Sequence, residues 1–288
     1  MDNTSSPQIT IITTSYNYSE YISQTIESVL AQTFSDWELI IVDDASSDNS
    51  VEIIKNYCND QRIKLICNEK NLGLKESIKT ALKEAKGEWI AFVESDDSIT
   101  PNSLEKRLQT KADIVFNSVN LIGDEEWVKE VQKQVDKTER ELSKINFPAN
   151  IFRKFDTKNP VLTLSSIMIK RKLLTDELFD TKTDALFDWW LYINLAFKND
   201  FDYISEKLTN WRIHDNSYIK KPKRNKHQMV NIMAYYKVFR QNPSLNLLFF
   251  ILICTIKMCF VRLRVYFIAF IRFLKTLLGI KKRKSPLF

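Results

Sequence analysis

"EWIAFVESDDSIT", residues 88–100, decides the fold. The apolar run from Trp89 to Val93 reads as a buried strand, and it ends in Glu94, Asp96 and Asp97. Carboxylates gathered at the end of a buried strand are costly unless something cationic meets them.

Working outward, the same alternation of strand and helix recurs. "ITIITTSYN" (9–17) reads as a strand, and "SEYISQTIESVLAQT" (19–33) follows with apolar residues at helical spacing. "WELIIVDDAS" (37–46) is the next strand, with "DNSVEIIKNYC" (48–58) a helix behind an Asp/Asn/Ser start. "IKLICNEKN" (63–71) precedes a helix expected from Lys75 to Lys86, with Gly87 as its left-handed terminator. After the fourth strand, Thr100 and Pro101 are expected as N-cap and first residue of the helix "LEKRLQTK" (104–111). "GDEEWVKEVQKQVDKTERELSKI" (123–145) reads as a solvated surface helix or an acceptor-side insertion. A strand in "SSIMIKRKL" (165–173) and a helix in "DWWLYINLAF" (188–197) complete the domain. Strands alternating with helices imply an α/β domain whose sheet is mostly parallel, with ligands at the carboxyl ends of the strands. Asp43 and Asp44 close the second strand there, so the two acidic clusters are expected to face one crevice.

Composition narrows the chemistry. Gly73, Gly87, Gly123 and Gly279 are the only glycines, which excludes both GxGxxG and GxxxxGK[ST] phosphate loops. Metal or cationic side chains must then hold any phosphate. Cys58, Cys67, Cys254 and Cys259 lack CxxC spacing and the chain has two histidines, so neither a zinc site nor a disulfide framework is indicated. "MDNTSSPQIT" has no signal-peptide pattern, which places the expectation on the cytoplasmic side. Charge divides sharply along the chain. From residue 216 onward there are 16 Lys and Arg and no Asp or Glu, leaving 26 basic against 36 acidic residues before it. An acidic domain joined to a segment that meets an anionic partner is the expectation, with the boundary between 1–218 and 219–288.

The ordered set "TTSYN", "AQTFSDWELIIVDDASSDNS", "NLGL", "GEWIAFVESDD", "FDWW" and "WRIH" resembles the inverting family 2 glycosyltransferases of the GT-A, Rossmann-like fold, over roughly residues 8–217. The resemblance implies a nucleotide-sugar donor, whose diphosphate gains charge as the glycosyl bond breaks, and a Mn²⁺ or Mg²⁺ cofactor to meet that charge. On this reading Asp97 is the direct metal ligand and Asp96 contacts ribose or metal, whereas on the residues alone "SDD" is equally a turn capping the next helix. Thr14, Tyr16 and Asp44 would hold the base, Asp44 accepting the imide N–H of uracil or thymine. An Asx-turn into the helix that starts near Asp48 is the other reading of Asp44, with Asp43 as the alternative maker of that turn. Ile78 stands where the family commonly has an Arg, so Lys75 or Lys79 would substitute. Asp188, opening an apolar helix, is the implied general base, or else merely a helix cap. Phe187 stands where relatives often have a second acid. His214 would contribute a metal or diphosphate contact, and Arg212 a diphosphate contact.

The C-terminal stretch 244–278, followed by "KKRK", has an uncharged apolar run of only ten residues, Leu247 to Ile256. That is short of the roughly 18–20 needed to span a bilayer. A basic amphipathic helical extension lying in an anionic membrane interface is expected, the alternative being packing on the domain or on a second subunit. Nucleic acid is disfavoured because the cations are interleaved with aliphatic runs. Together these readings imply a peripheral enzyme at the cytoplasmic face of the plasma membrane that adds one UDP- or dTDP-linked sugar to a lipid-linked glycan of a surface polysaccharide. A nucleotidyltransferase and a non-catalytic sugar-nucleotide-binding scaffold are the rival readings.

Overall fold

The structure, a computed structural model, describes residues 6–156, 159–181, 186–215, 217 and 226–256. The chain divides into two compact units, Met1–His227 and Gln228–Phe288.

In the first unit, β1 (Ile9–Ser15), β2 (Trp37–Asp43), β3 (Ile63–Cys67) and β4 (Trp89–Phe92) form a parallel half-sheet in the order β3-β2-β1-β4. α1 (Ile22–Leu30), α2 (Ser50–Lys55) and α3 (Leu74–Glu84) connect them, as the alternating pattern predicts. Ile9, Ile11, Leu39, Ile41 and Ala91 from the strands and Ile22, Ile26 and Val29 from α1 pack into one apolar cluster. This burial fixes the register that brings three strand ends level.

Beyond β4 the sheet changes character. β5 (Ser98–Ile99), α4 (Ser103–Leu108), β6 (Ile114–Gly123), α5 (Glu125–Leu142), β7 (Ile167–Lys170), α6 (Phe187–Lys198) and β8 (Asp202–Ile213) follow. β7 runs antiparallel to both β4 and β6, β8 is parallel to β6, and β5 pairs antiparallel with the far end of β8. The sequence pattern shows β7 but not the long β6–β8 ladder, because buried Asn117, Ser118 and Thr209 interrupt the apolar runs that would mark those strands.

Three local expectations are corrected. Gly87 does not end α3 in a left-handed turn; the helix stops at Glu84 and Ala85 is extended. Gly87 is needed because a Cβ there would lie 2.3 Å from the Thr10 backbone nitrogen. Thr100 and Pro101 precede α4 by a turn, and Asn102 occupies the cap position. α5 is not fully solvated: Val131, Val135, Thr138 and Leu142 form a buried stripe, and the two valines pack on Val119 of β6 and Ile213 of β8.

In the second unit, α7 (Lys226–Gln241) is followed by a helix over 245–256, and Phe250 meets Tyr235 edge-to-face at 5.3 Å. No helix among the described residues is long and apolar enough to cross a membrane. The expected continuation of the basic helix beyond Ile256 lies outside the described residues.

Candidate active site

The carboxyl ends of β1, β2 and β4 supply three loops, and their side chains interlock. After β1, Asn17 adopts a left-handed φ of 60°, and after β2, Ala45 has a φ of 64°. Such conformations cost energy in residues other than glycine, so surrounding bonds must hold them. Asn17 Oδ1 accepts from the Ser47 amide at 2.8 Å, and Ser46 donates its hydroxyl to Asp43 at 2.6 Å. Asp43 Oδ1 accepts the Ser46 N–H, three residues on, at 2.8 Å, whereas the Asx-turn contact two residues on belongs to Asp48. Asp48 completes the clasp by accepting from the amides of Ser19 and Ser50 at 3.0 and 2.9 Å.

Asp44 has a different task. Its Oδ1 accepts from Asn68 Nδ2 and the Leu72 amide, and its Oδ2 from the Gly73 amide, all at 2.8 Å. This carboxylate therefore shapes the "NLGL" loop. A carboxylate offers about four acceptor sites, so one is left for a ligand. Thr14 lies beside Val42 in the β1–β2 register and Tyr16 is exposed at the loop. Lys75 reaches across to the Thr181 carbonyl at 2.9 Å and lies 3.4 Å from Glu76, while Lys79 also sits beside Glu76.

The turn after β4 gathers the acids of "ESDD" and sorts them. Asp97 is 2% exposed; its Oδ1 accepts the Arg212 amide at 2.9 Å, and its Oδ2 accepts from Ser165 at 2.6 Å with Thr163 at 3.2 Å. Glu94 Oε2 accepts from Thr163 at 2.7 Å, and the Glu94 amide donates to the Ser165 hydroxyl at 2.9 Å. Asp96 projects instead toward His214, with Nε2 3.0 Å from its Oδ2. His214 is bracketed by Tyr21 at 5.1 Å and Tyr18 at 6.1 Å between ring centres. The Arg212 guanidinium lies 4.8 Å over the Tyr21 ring, donates to the Asp96 carbonyl at 2.9 Å and reaches Gln24.

Packing so many acids together moves their protons. Burial, then the neighbouring Asp96 charge, pushes the Glu94 carboxyl up to about 8, with Asp188 adding to the effect. Burial and the Asp96 and Glu94 charges raise Asp97 well above the usual range. Burial followed by the same three carboxylates raises Tyr18, which keeps its phenol proton as a donor at the edge of the cluster. Ionising several of these neighbouring carboxyls together is therefore costly, a cost that a cation would lower.

Asp188 stands in the first turn of α6, behind Leu186 in a left-handed conformation at φ 64°. Its charge acts on both Glu94 and the buried Tyr192 one turn further along the helix. The helix thus brings Asp188 within electrostatic reach of Glu94.

Two of the three expected metal-facing groups come together, Asp96 and His214. Asp97, the expected direct ligand, is nearly fully buried and accepts from three donors. Among the described residues no group of three His, Cys, Asp or Glu is poised around a metal. One carboxylate oxygen and one imidazole nitrogen suit Mn²⁺, or Mg²⁺ retaining waters, when ligand phosphates complete the shell. The sequence reading missed Tyr18, Tyr21, Thr163 and Ser165. The aromatic spacing in "SYNYSEY" was a signal for the first two. Nothing local marks the hydroxyls of "TLSS" as partners of acids some 70 residues away.

Comparison with known proteins bears on the fold and the family. A glycosyltransferase of Methanocaldococcus jannaschii, MJ1057, is 31% identical over 81% of this chain and 85% of its own. The Escherichia coli UDP-Glc:alpha-D-GlcNAc-diphosphoundecaprenol beta-1,3-glucosyltransferase WfgD is 45% identical over 35% of this chain and 39% of its length. A Rickettsia bellii glycosyltransferase is 28% identical over 79% of this chain, which spans only 32% of that longer protein. Among solved structures, S. aureus TarS (residues 1–349) with UDP-GlcNAc superposes with a TM-score of 0.58 at 19% identity, over 81% of this chain and 66% of that one. The Pyrobaculum calidifontis mannosyltransferase PcManGT with GDP-Man and Mn²⁺ gives 0.51 at 14% identity, over 96% and 89%. These likenesses identify the fold as GT-A. The glycosyl transferase family 2 model matches residues 10–178, more than half of the sequence, and the chain belongs to that family.

Proposed function

We propose that the chain is an inverting glycosyltransferase that moves one sugar from a UDP- or dTDP-sugar to a hydroxyl of a lipid-linked glycan in surface-polysaccharide assembly. The observation that carries this reading is the meeting of Asp96 and His214 at the mouth of a buried acidic cluster, with Asp188 facing that cluster from α6. The acceptor named for WfgD, a diphosphoundecaprenol-linked sugar, and the UDP-sugar bound by TarS support the choice of substrates. A divalent cation, when bound, would neutralise the charge growing on the leaving diphosphate.

The residues divide the remaining work. Asp96 and His214 would hold that cation. Thr163, Ser165 and the Arg212 backbone fix Asp97 and Glu94 beneath them. Asp44 keeps the "NLGL" loop in place and offers its last acceptor site to the imide N–H of the base, beside Thr14 and Tyr16. Arg212 and Lys75 brace the two sides of the diphosphate path. Asp188 takes the acceptor hydroxyl proton as that oxygen bonds to the anomeric carbon and the bond to the nucleoside diphosphate breaks.

Nucleotide release should be measured with UDP- and dTDP-sugars and polyprenyl-diphosphate-linked acceptors, together with donor binding by thermal shift. Asp188→Asn is expected to lower kcat by about 10²–10⁴-fold with donor binding retained, and Asp96→Asn to lose the Mn²⁺-dependent shift. Undiminished turnover in the Asp188 variant rejects the base assignment. Donor binding by the parent chain without any transfer would favour the scaffold reading.

A further inference from the structure

The second unit carries a surface that the reaction above does not use. The helix over 245–256 has no charged residue, and its two faces differ in burial. Leu247 and Cys254 are buried and Phe250 packs on Tyr235 of α7, so one face is taken up within the unit. On the opposite face Leu245, Leu248, Phe249, Leu252 and Ile256 follow helical spacing within an arc of about 100°. Leu245, Phe249 and Leu252 are 85%, 64% and 52% exposed. A contiguous apolar stripe of this kind, left in water on a well-formed helix, marks a contact surface.

Charge selects its occupant. The sequence from residue 216 to the end, which contains this helix, holds 16 basic residues and no acidic one, with Lys257 directly after the stripe and "KKRK" at 281–284. A second copy of this chain would set that cationic segment against its own like. An anionic lipid surface complements both the apolar stripe and the charge.

We infer that the exposed face of the 245–256 helix inserts into the headgroup region of an anionic membrane, holding the protein peripherally at the lipid surface. Nucleotide and sugar play no part in this contact, so vesicle binding reports on it separately from turnover.

The test is co-sedimentation of the full chain with phosphatidylcholine vesicles, with and without phosphatidylglycerol, at low and high salt. Binding is expected to the anionic vesicles and to weaken as salt is raised. A Phe249→Ser/Leu252→Ser double variant should bind about tenfold more weakly, with circular dichroism and solution mass unchanged. Substitution of exposed positions leaves the Tyr235–Phe250 contact in place, so the variant should fold. Three results would overturn the inference: no sedimentation with anionic vesicles, a double variant that sediments like the parent, or a parent dimer that the double variant dissociates. The last would make a second copy the occupant.

Discussion

At the scale of the residue, the acids of "ESDD" differ less in sequence than in what surrounds them. Asp97 is enclosed by donors while Asp96 keeps an open side toward His214. Ser165 links the two roles, accepting from the Glu94 amide and donating to Asp97. Ser165→Ala leaves a buried carboxylate one donor short, and should cost about 1–3 kcal/mol in denaturant unfolding. Behind it, Arg107 is fully buried and donates Nη2 to the Ser165 carbonyl and the Thr209 hydroxyl at 2.9 and 3.0 Å. Asp48 gives a pH signature of the interlocked loops. Burial opposes its ionisation, but hydrogen bonds from Ser50 and Ser19 outweigh that and hold it at about 2. A folded pKa below the unfolded value means stability that is present above pH 3.8 and lost as pH falls toward about 2. Asp48→Asn should flatten acid unfolding in that window and lower neutral stability by on the order of 1 kcal/mol, since solvent reaches this group.

At the scale of the element, two connections position the site. Gly123 ends β6 with φ 110°, and a Cβ there would sit 2.2 Å from the Ile213 carbonyl oxygen. Asp124 then caps α5, its carboxylate accepting the Glu126 and Trp127 amides at 3.1 Å. Gly123→Ala should therefore part β6 from the end of β8, the strand that carries Arg212 to Asp97, at a cost of about 2–4 kcal/mol. Thermal unfolding together with Mn²⁺ binding checks this, because the displaced β8 should weaken both. Val135→Ala should cost about 1–3 kcal/mol by opening a cavity between α5 and the sheet; an unchanged melting temperature would show that the α5 stripe contributes little. The periodicity of α1, α3 and α6 was legible because each has one apolar face or is apolar throughout. The charged face of α5 dominates its composition, which hid the buried valines.

At the scale of the whole molecule, the parallel half-sheet supplies the loops after β1, β2 and β4, and the mixed half supplies His214, Arg212 and the Thr163–Ser165 turn. Chelation with EDTA should abolish transfer, and restoring Mn²⁺ should raise the melting temperature of the parent chain but not of Asp96→Asn. The sequence by itself determined the first four strands, the acids at their ends, the absence of any glycine phosphate loop and the reversal of charge after residue 215. Those features follow from local periodicity and composition, which act over a few residues at a time. Only the tertiary structure decided which acid faces outward, that Asp44 holds the "NLGL" loop while Asp43 holds Ser46, that hydroxyls from 163 and 165 anchor the cluster, and which face of the 245–256 helix meets solvent. Each of these depends on groups far apart in the chain or on what covers a surface, and neither is written in the spacing of one segment.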